Sequence, residues 1–384
     1  MRSFGTRLRV GDLGRALGDG RARTVGRKRV FSGIRPTGPI HLGNYLGAIK
    51  SWIQLQDRYE CIYAIVDYHG MTTPYHPAEM RANVRELLID YLAAGVDPER
   101  SILMVQSAVP EHTELAWILG TVTPIAWLER VPTFKEKAEQ HPDYVHLGLL
   151  SYGVLMAADI VLYKAEVVPV GEDQLPHLEL TREIVRRFHH LFGVKIFPEP
   201  QALVAQETAR IMSLTDPEKK MSKTLGPRSL IALSDPPEAI RDKIMKAVTD
   251  TGPSGERMSP GVANLFQLLK IFGTEEEYRS LRAEYDAGTL RYVNLKRTLA
   301  DAIIRSLEPF RRRRAELEND PAYLDRVLRD GIRRARAIAR ETMAEVKEAC
   351  GLLRDEPGLG EAGVAAAAGS KAAGEQAPEA VERR

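Results

Sequence analysis

Cys61–Val66, read as Cys-Ile-Tyr-Ala-Ile-Val, is a continuous apolar run the length of one strand. A strand apolar on both sides must be covered on both sides, which is the condition of a parallel sheet sandwiched between helices. Ser101–Gln106 and Val167–Val170 read the same way, and Arg29–Ile34 reads as a first strand. Helical segments at Gly43–Gln56 and Pro77–Ala94 separate these runs, and alternation of that kind predicts an α/β fold with a doubly wound parallel sheet. Beyond Pro236 the pattern is helical only. Leu324, Val327, Leu328, Ile332, Ala335, Ile338, Ala339, Met343 and Val346 recur at three- and four-residue steps, the apolar face of one long helix. The predicted architecture is a Rossmann-like domain followed by an all-helical C-terminal domain.

Composition narrows the partners. The chain has 54 basic and 52 acidic residues, so it is no polycation built for non-specific DNA binding, and nucleic-acid contact needs a local patch. Two distant cysteines, Cys61 and Cys350, give neither a disulfide framework nor a multi-cysteine metal site. No apolar run approaches the ~20 residues that span a bilayer, and a reducing cytoplasm is expected. Residues 1–28 are rich in arginine and glycine and lack the apolar core of a secretory leader, while Asp12 and Asp19 argue against a transit peptide. They and residues 354–384, rich in alanine, glycine and glutamate without aromatics, are expected to be unstructured. The boundaries predicted are therefore 29–228 for the Rossmann-like domain and 229–353 for the helical region.

Two loops carry chemistry. Ser32–Tyr45 (Ser-Gly-Ile-Arg-Pro-Thr-Gly-Pro-Ile-His-Leu-Gly-Asn-Tyr) leads from the first strand into a helix. Free backbone N–H groups and the helix dipole at such a junction suit phosphate, with His41 and Asn44 as added polar groups. A turn punctuated by glycine and proline serves structure as readily. Lys220-Met221-Ser222-Lys223-Thr224 supplies two ammonium groups and two hydroxyls, suited to the charge of a departing pyrophosphate. Alone it reads equally as a solvated basic loop; beside the first motif, that reading weakens.

His-Leu-Gly-Asn (His41–Asn44) and Lys-Met-Ser-Lys-Thr (Lys220–Thr224) resemble the HIGH and KMSKS signatures of class I aminoacyl-tRNA synthetases. The stretch from about Val30 to Leu353 resembles the bacterial-type tryptophanyl-tRNA synthetases, with Ile65–His69, Phe134–Lys137, Met156–Ile160 and Val168–Gln174 matching in order. Asn44 stands for the second histidine of HIGH, Thr224 for the final serine, and Arg35 where common bacterial members carry glutamine.

The resemblance implies a ligase that activates L-tryptophan with ATP and transfers it to tRNA(Trp). It implies Mg²⁺ carried with ATP, no tightly bound cofactor or protein-held metal, and a homodimer. It places ATP on Arg35, Pro36, Thr37, Gly43, Asn44, Gly171, Glu172, Asp173, Ile211 and Lys220–Thr224. His41, Lys137, Lys220 and Lys223 would assist the chemistry. Phe31, Gly33, Val66, His69, Val168 and Val170 would line the amino-acid pocket, with Tyr152 and Gln174 on the amino group. The arginines of the helical region (Arg305, Arg311–Arg314, Arg333, Arg334, Arg336, Arg340) would meet the anticodon; a solvated helix face accounts for some of them equally well.

The residues themselves argue for an indole. Tyr152, Met156 and Asp159 fall at i, i+4 and i+7 on one face of a helix expected over Leu149–Leu162, which is apolar nearly all round. A buried carboxylate needs a donor, and an indole offers one N–H and no acceptor. A carboxylate paired only within the core is the competing reading of Asp159. Asp173 likewise reads either as a ribose ligand or as a helix N-cap. His112, His141, His189 and His190 show no metal-ligand spacing and read as surface or core histidines. A tyrosyl-tRNA synthetase, another nucleotidyltransferase and a non-catalytic RNA-binding paralogue are the rivals; intact Lys220 and Lys223 argue against the last.

Overall fold

The computed structural model describes residues 8–9, 26–204, 211–250 and 258–353. Most of the two expected unstructured ends lies outside these residues. Six parallel strands run in the order β1-β6-β5-β2-β3-β4, from β1 (Leu8–Arg9) and β2 (Arg29–Ile34) through β3 (Glu60–Ile65), β4 (Ser101–Val105) and β5 (Val167–Val170) to β6 (Gln201–Val204). The order reverses at β2, which has β3 on one side and β5 on the other. That is where open α/β sheets bind ligands, beyond the carboxyl ends of the strands.

Alternate side chains fill two separate cores. Val30, Tyr63, Ile65, Leu103 and Val105 pack under α2 (Lys50–Leu55), α4 (Pro77–Ala94), α11 (Pro260–Phe272) and α13 (Tyr292–Glu318). Phe31, Ile62, Ala64, Ile102 and Met104 pack on the other side under α5 (Glu111–Val122), α8 (Leu147–Val161) and α9 (Leu175–Phe192). β3 from Cys61 onward and β4 from Ile102 onward are unbroken apolar runs because both of their faces are buried.

The last helix among the described residues, α14 (Pro321–Cys350), joins the two cores. Its Leu324 and Val327 belong to the first, and its Ala335, Ala339, Met343 and Val346 to the second. Between them Gly331 lies against the backbone of Leu103, where a β-carbon would come within 1.8 Å of the carbonyl oxygen. The helix therefore crosses from one face of the sheet to the other around its edge strand β4, and only glycine fits at the crossing.

The helix predicted over Gly43–Gln56 is interrupted: α1 (Leu42–Asn44) passes into a π-helical stretch, Tyr45–Ile49, before α2. Such wide turns cluster at functional sites. The four predicted strands are present within one residue of their expected ends. Gln201–Val204 and Leu8–Arg9 are further strands with too few residues to show a pattern. Among the described residues, helices alone follow from Pro237, beginning with α10 (Pro237–Met245) and including α12 (Glu275–Asp286).

Candidate active site

The loop after β2 is built around His41. Its Nδ1 accepts hydrogen bonds from the Gly43 N–H at 3.1 Å and the Asn44 N–H at 3.3 Å, while Asn44 Oδ1 accepts from the His41 N–H. The imidazole thus caps its own helix. An imidazole accepting at Nδ1 carries its proton on Nε2. Burial, then Lys223 and Lys220, lower its pKa to about 4, so the ring stays neutral near pH 7.

The second loop is zipped to the first. Leu42 N–H donates to Ile231 O at 3.0 Å and Leu233 N–H to Ile40 O at 2.9 Å, with His41 facing Ala232. Met221, buried, donates its N–H to Ile211 O at 2.9 Å. Lys223 Nζ then reaches across to Gly38 O at 2.7 Å. Gly38 has φ +103°, a left-handed conformation that glycine adopts without strain. Ser222 and Thr224 share a hydroxyl contact of 2.8 Å, and Lys220 is exposed.

Several cations share this space. Burial, and then Arg35, lower the pKa of Lys137 to about 8; the same two causes bring Lys223 to about 8, with Asp90 opposing. Burial also lowers Arg35, whose Nη1 is buried without a hydrogen-bond partner among the described residues. Buried cations, two of them held down further by a third, make a site that an anion would relieve. Arg35, the departure from the common bacterial pattern, is central to it.

Next to it lie several of the residues expected to meet the amino acid. Lys137 Nζ sits 4.7 Å from the centroid of the Tyr152 ring, and the Tyr152 hydroxyl meets His177 Nε2. His69 stands edge-on to Tyr152. A β-carbon at Gly33 would come within 2.8 Å of Val66, so glycine keeps β2 and Val66 in contact. Val168 is buried and Val170 half-buried on β5. A cavity of about 610 Å³ borders Tyr152, with Tyr68, Thr72, Tyr144 and His146 on its walls.

Asp159, 1% exposed, is already met by three donors: Gln106 Nε2 at 2.7 Å and His112 Nδ1 at 2.6 Å on Oδ1, and His69 Nε2 at 2.8 Å on Oδ2. His112 Nε2 in turn contacts the Tyr163 hydroxyl at 2.8 Å, and Tyr163 stacks on Phe31. Burial alone would raise the Asp159 pKa, but the His112 and His69 bonds outweigh it and hold the carboxyl at about 2. A carboxylate has about four lone-pair positions. One remains here, on the Oδ2 side with His69. Of the two sequence readings, the structure shows the pairing within the core; the count of lone pairs leaves one acceptor position for a further donor.

Gly171, Glu172 and Asp173 are exposed beyond the carboxyl end of β5. Gly171, not Asp173, begins the short 3₁₀ turn there, with no side-chain cap among the described residues; the Asp173 carboxylate accepts from Gln174 Nε2 at 2.7 Å. Sequence reasoning missed Gln106 and His177 and gave His112 no partner. The place of Gln106 at the carboxyl end of β4 was the signal available.

The family model for class I tRNA synthetases (W and Y) matches residues 24–308. A tryptophan–tRNA ligase from Clostridium tetani is 42% identical over 335 residues, 86% of this chain and 97% of that protein. The chain belongs to the bacterial tryptophanyl-tRNA synthetase family. A tryptophan–tRNA ligase from Nostoc sp. is 44% identical over 85% of this chain and 98% of its own. Among solved structures, the Campylobacter jejuni tryptophanyl-tRNA synthetase complexed with ADP and tryptophan superposes with a TM-score of 0.76 at 33% identity, covering 84% of this chain and all of that one. A tyrosyl-tRNA synthetase from Archaeoglobus fulgidus shares the fold at 20% identity and a TM-score of 0.57. The tryptophanyl-tRNA synthetase family thus supplies relatives across most of the chain's length, including both signature loops.

Proposed function

We propose that this chain activates L-tryptophan with ATP and transfers it to tRNA(Trp), using residues 29–228 as the catalytic domain. The observation that carries the site assignment is the group of buried cations, with Arg35 lowering the pKa of both Lys137 and Lys223, beside a helix start capped by a neutral histidine. In this reading ATP lies along Arg35–Thr37, Gly43, Asn44, Gly171–Asp173, Ile211 and Lys220–Thr224. The tryptophan carboxylate attacks the α-phosphate in line, pyrophosphate leaves, and the terminal ribose hydroxyl of tRNA then takes the acyl group. Lys223 and Lys220 meet charge as it moves to the leaving group, and Lys137 lies beside the same phosphates. His41 keeps its Nε2 proton as a neutral donor. Mg²⁺ enters with the phosphates of ATP, since the cationic side chains at the site cannot ligate it.

Tryptophan lies between Phe31, Gly33, Val66, His69, Met156, Val168 and Val170. Its indole N–H points to the open acceptor of Asp159, and its amino group to Tyr152 and Gln174. Residues 229–353 take the tRNA. Of the arginines there, Arg314 lies in a buried ion-pair cluster, Arg334 donates to the Pro98 and Ser101 carbonyls, and Arg336 contacts Glu111. Those are structural. Arg305, Arg312, Arg313, Arg333 and Arg340 are exposed, and surface ion pairs such as Arg305–Glu277 exchange readily for phosphate. Trp117 and Ile125, 78% and 64% exposed, support a homodimer. Among the described residues no helix is long and apolar enough to cross a membrane, and we place the enzyme in the cytoplasm. Tryptophan-dependent ATP–pyrophosphate exchange, with tyrosine as control, tests the reading; exchange with tyrosine, or none with tryptophan, would overturn it.

A further inference from the structure

Beneath the His41 loop lies a buried ion pair that plays no part in the chemistry above. Asp90, on α4, is 1% exposed, and an acid at that depth is costly in an apolar core without partners. It has two. Its Oδ1 meets Arg314 of α13, whose guanidinium also contacts Glu86 and, at 3.0 Å, Glu318. Its Oδ2 accepts the backbone N–H of Ile40 at 3.3 Å. Ile40, itself 1% exposed, immediately precedes His41, and its carbonyl is held by Leu233 N–H from the strand-like stretch after the second signature loop. Two residues before Ile40 is Gly38, whose carbonyl receives Lys223. Both backbone groups of Ile40 are thus fixed, one by each of two distant segments. The Asp90 charge also reaches Lys223, raising its pKa against burial.

We propose that Asp90, held by Arg314, is a positioning residue for ATP activation: its bond to the Ile40 N–H sets the height of the loop that carries His41 and the Gly38 carbonyl. Arg314 belongs to the helical region, so that region fixes the nucleotide loop through one side chain. If Asp90 acts this way, loss of its acceptor displaces groups that meet ATP and leaves the pocket around Asp159 untouched. A merely structural pair would lower stability and spare the kinetics of the folded enzyme.

The proposal rests on the activity stated above, and one experiment separates the two. Pyrophosphate exchange is measured on the full chain and on Asp90→Ala, Asp90→Asn and the double variant Asp90→Leu/Arg314→Met, well below each melting temperature. Asp90→Ala leaves Arg314 with Glu86 and Glu318, so no charge is stranded. It is expected to lower kcat/KM for ATP by about tenfold or more, because small misplacements of positioning groups are costly. Tryptophan KM is expected to stay within roughly twofold. Asp90→Asn keeps an amide oxygen for Ile40 and is expected within about threefold of the parent. The double variant replaces the ion pair with apolar packing and is expected to regain melting temperature without regaining ATP kcat/KM. Parent-like ATP kinetics in Asp90→Ala, equal loss in Asp90→Asn, or full kinetic recovery in the double variant would each overturn the proposal. Should Asp90→Ala not fold, the double variant set against Asp90→Asn decides by the same criteria. A parent chain without tryptophan-dependent exchange would overturn the activity itself.

Discussion

Lys223 donates to the carbonyl oxygen of Gly38, 185 residues earlier in the chain, so the two signature loops are bonded directly to each other. A hydrogen bond from an ammonium to a neutral carbonyl is readily given up for a phosphate oxygen, because an ionised acceptor adds attraction between opposite charges. Lys223→Ala is expected to slow single-turnover adenylate formation by roughly 100-fold or more while tryptophan affinity changes little. Rapid-quench activation measured beside equilibrium tryptophan binding checks this; equal losses in both would contradict it.

The pH dependence follows from the same cations. Lys137 and Lys223, each lowered to about 8 by burial and by Arg35, lose charge as pH rises through that value. The kcat/KM for ATP is expected to fall above about pH 8, toward a tenfold loss per pH unit for each proton required. Stability of the empty enzyme should move the other way. Between about 8 and the ordinary lysine value near 10.4 the unfolded chain binds more protons than the native one, so stability rises with pH through that window. Opposed slopes in the kinetic profile and in melting temperature are the signature to measure.

Asp159 is an acceptor within the core and, in the proposed reading, the partner of the indole N–H; its variants should show both losses. With Asp159→Ala, tryptophan use is expected to weaken by about 1.5–3 kcal/mol, the worth of a hydrogen bond to a charged group. ATP KM should hardly change. The melting temperature should also drop, because Gln106, His112 and His69 lose a shared acceptor in the core. Asp159→Asn offers those donors one oxygen in place of two, and is expected to fall between. Unchanged tryptophan KM in the folded alanine variant would remove the indole assignment.

His41 allows cap and chemistry to be separated. An asparagine side chain presents an acceptor where the imidazole presents Nδ1, so His41→Asn should preserve the helix start. His41→Ala is expected to lose about 1 kcal/mol of stability. Both should slow activation, since neither retains a donor at the Nε2 position. An asparagine variant with full exchange activity would limit His41 to capping.

What could be read from the sequence divides by range. The strands Cys61–Val66 and Val167–Val170 and the helix Pro77–Ala94 declare themselves through contiguous residues, because burial of both sheet faces leaves an unbroken apolar run. The signature loops are likewise contiguous. The links that make a site of them are not. His112 lies 47 residues from Asp159, Tyr152 lies 25 from His177, and Arg314 lies 224 from Asp90. Only the folded topology brings such pairs together, and an isolated histidine or aspartate gives no local sign of its partner. Gln201–Val204 escaped for a different reason: its four residues, set off by Pro198 and Pro200 on one side only, show no period.

Gly331 is a position where one added carbon should be decisive. Gly331→Ala would drive a methyl group into the Leu103 carbonyl, and about 3 kcal/mol or more of destabilisation is expected, at the upper end for overpacking. Thermal unfolding of the purified variant checks it.

The crossing of α14 over β4 has a bearing on solubility. The outer backbone groups of a terminal strand are a template on which a second chain can add its own strand. In this molecule the segment bearing the conformationally permissive residue lies across that template, and it is the last helix of the described chain. A nascent or proteolysed polypeptide lacking it would present β4 uncovered, with Ile102, Leu103, Met104 and Val105 in an uninterrupted row. The final helix is thus a guard against intermolecular association as well as part of the fold, and chains shortened before Pro321 should precipitate before any effect on tryptophan activation can be assayed.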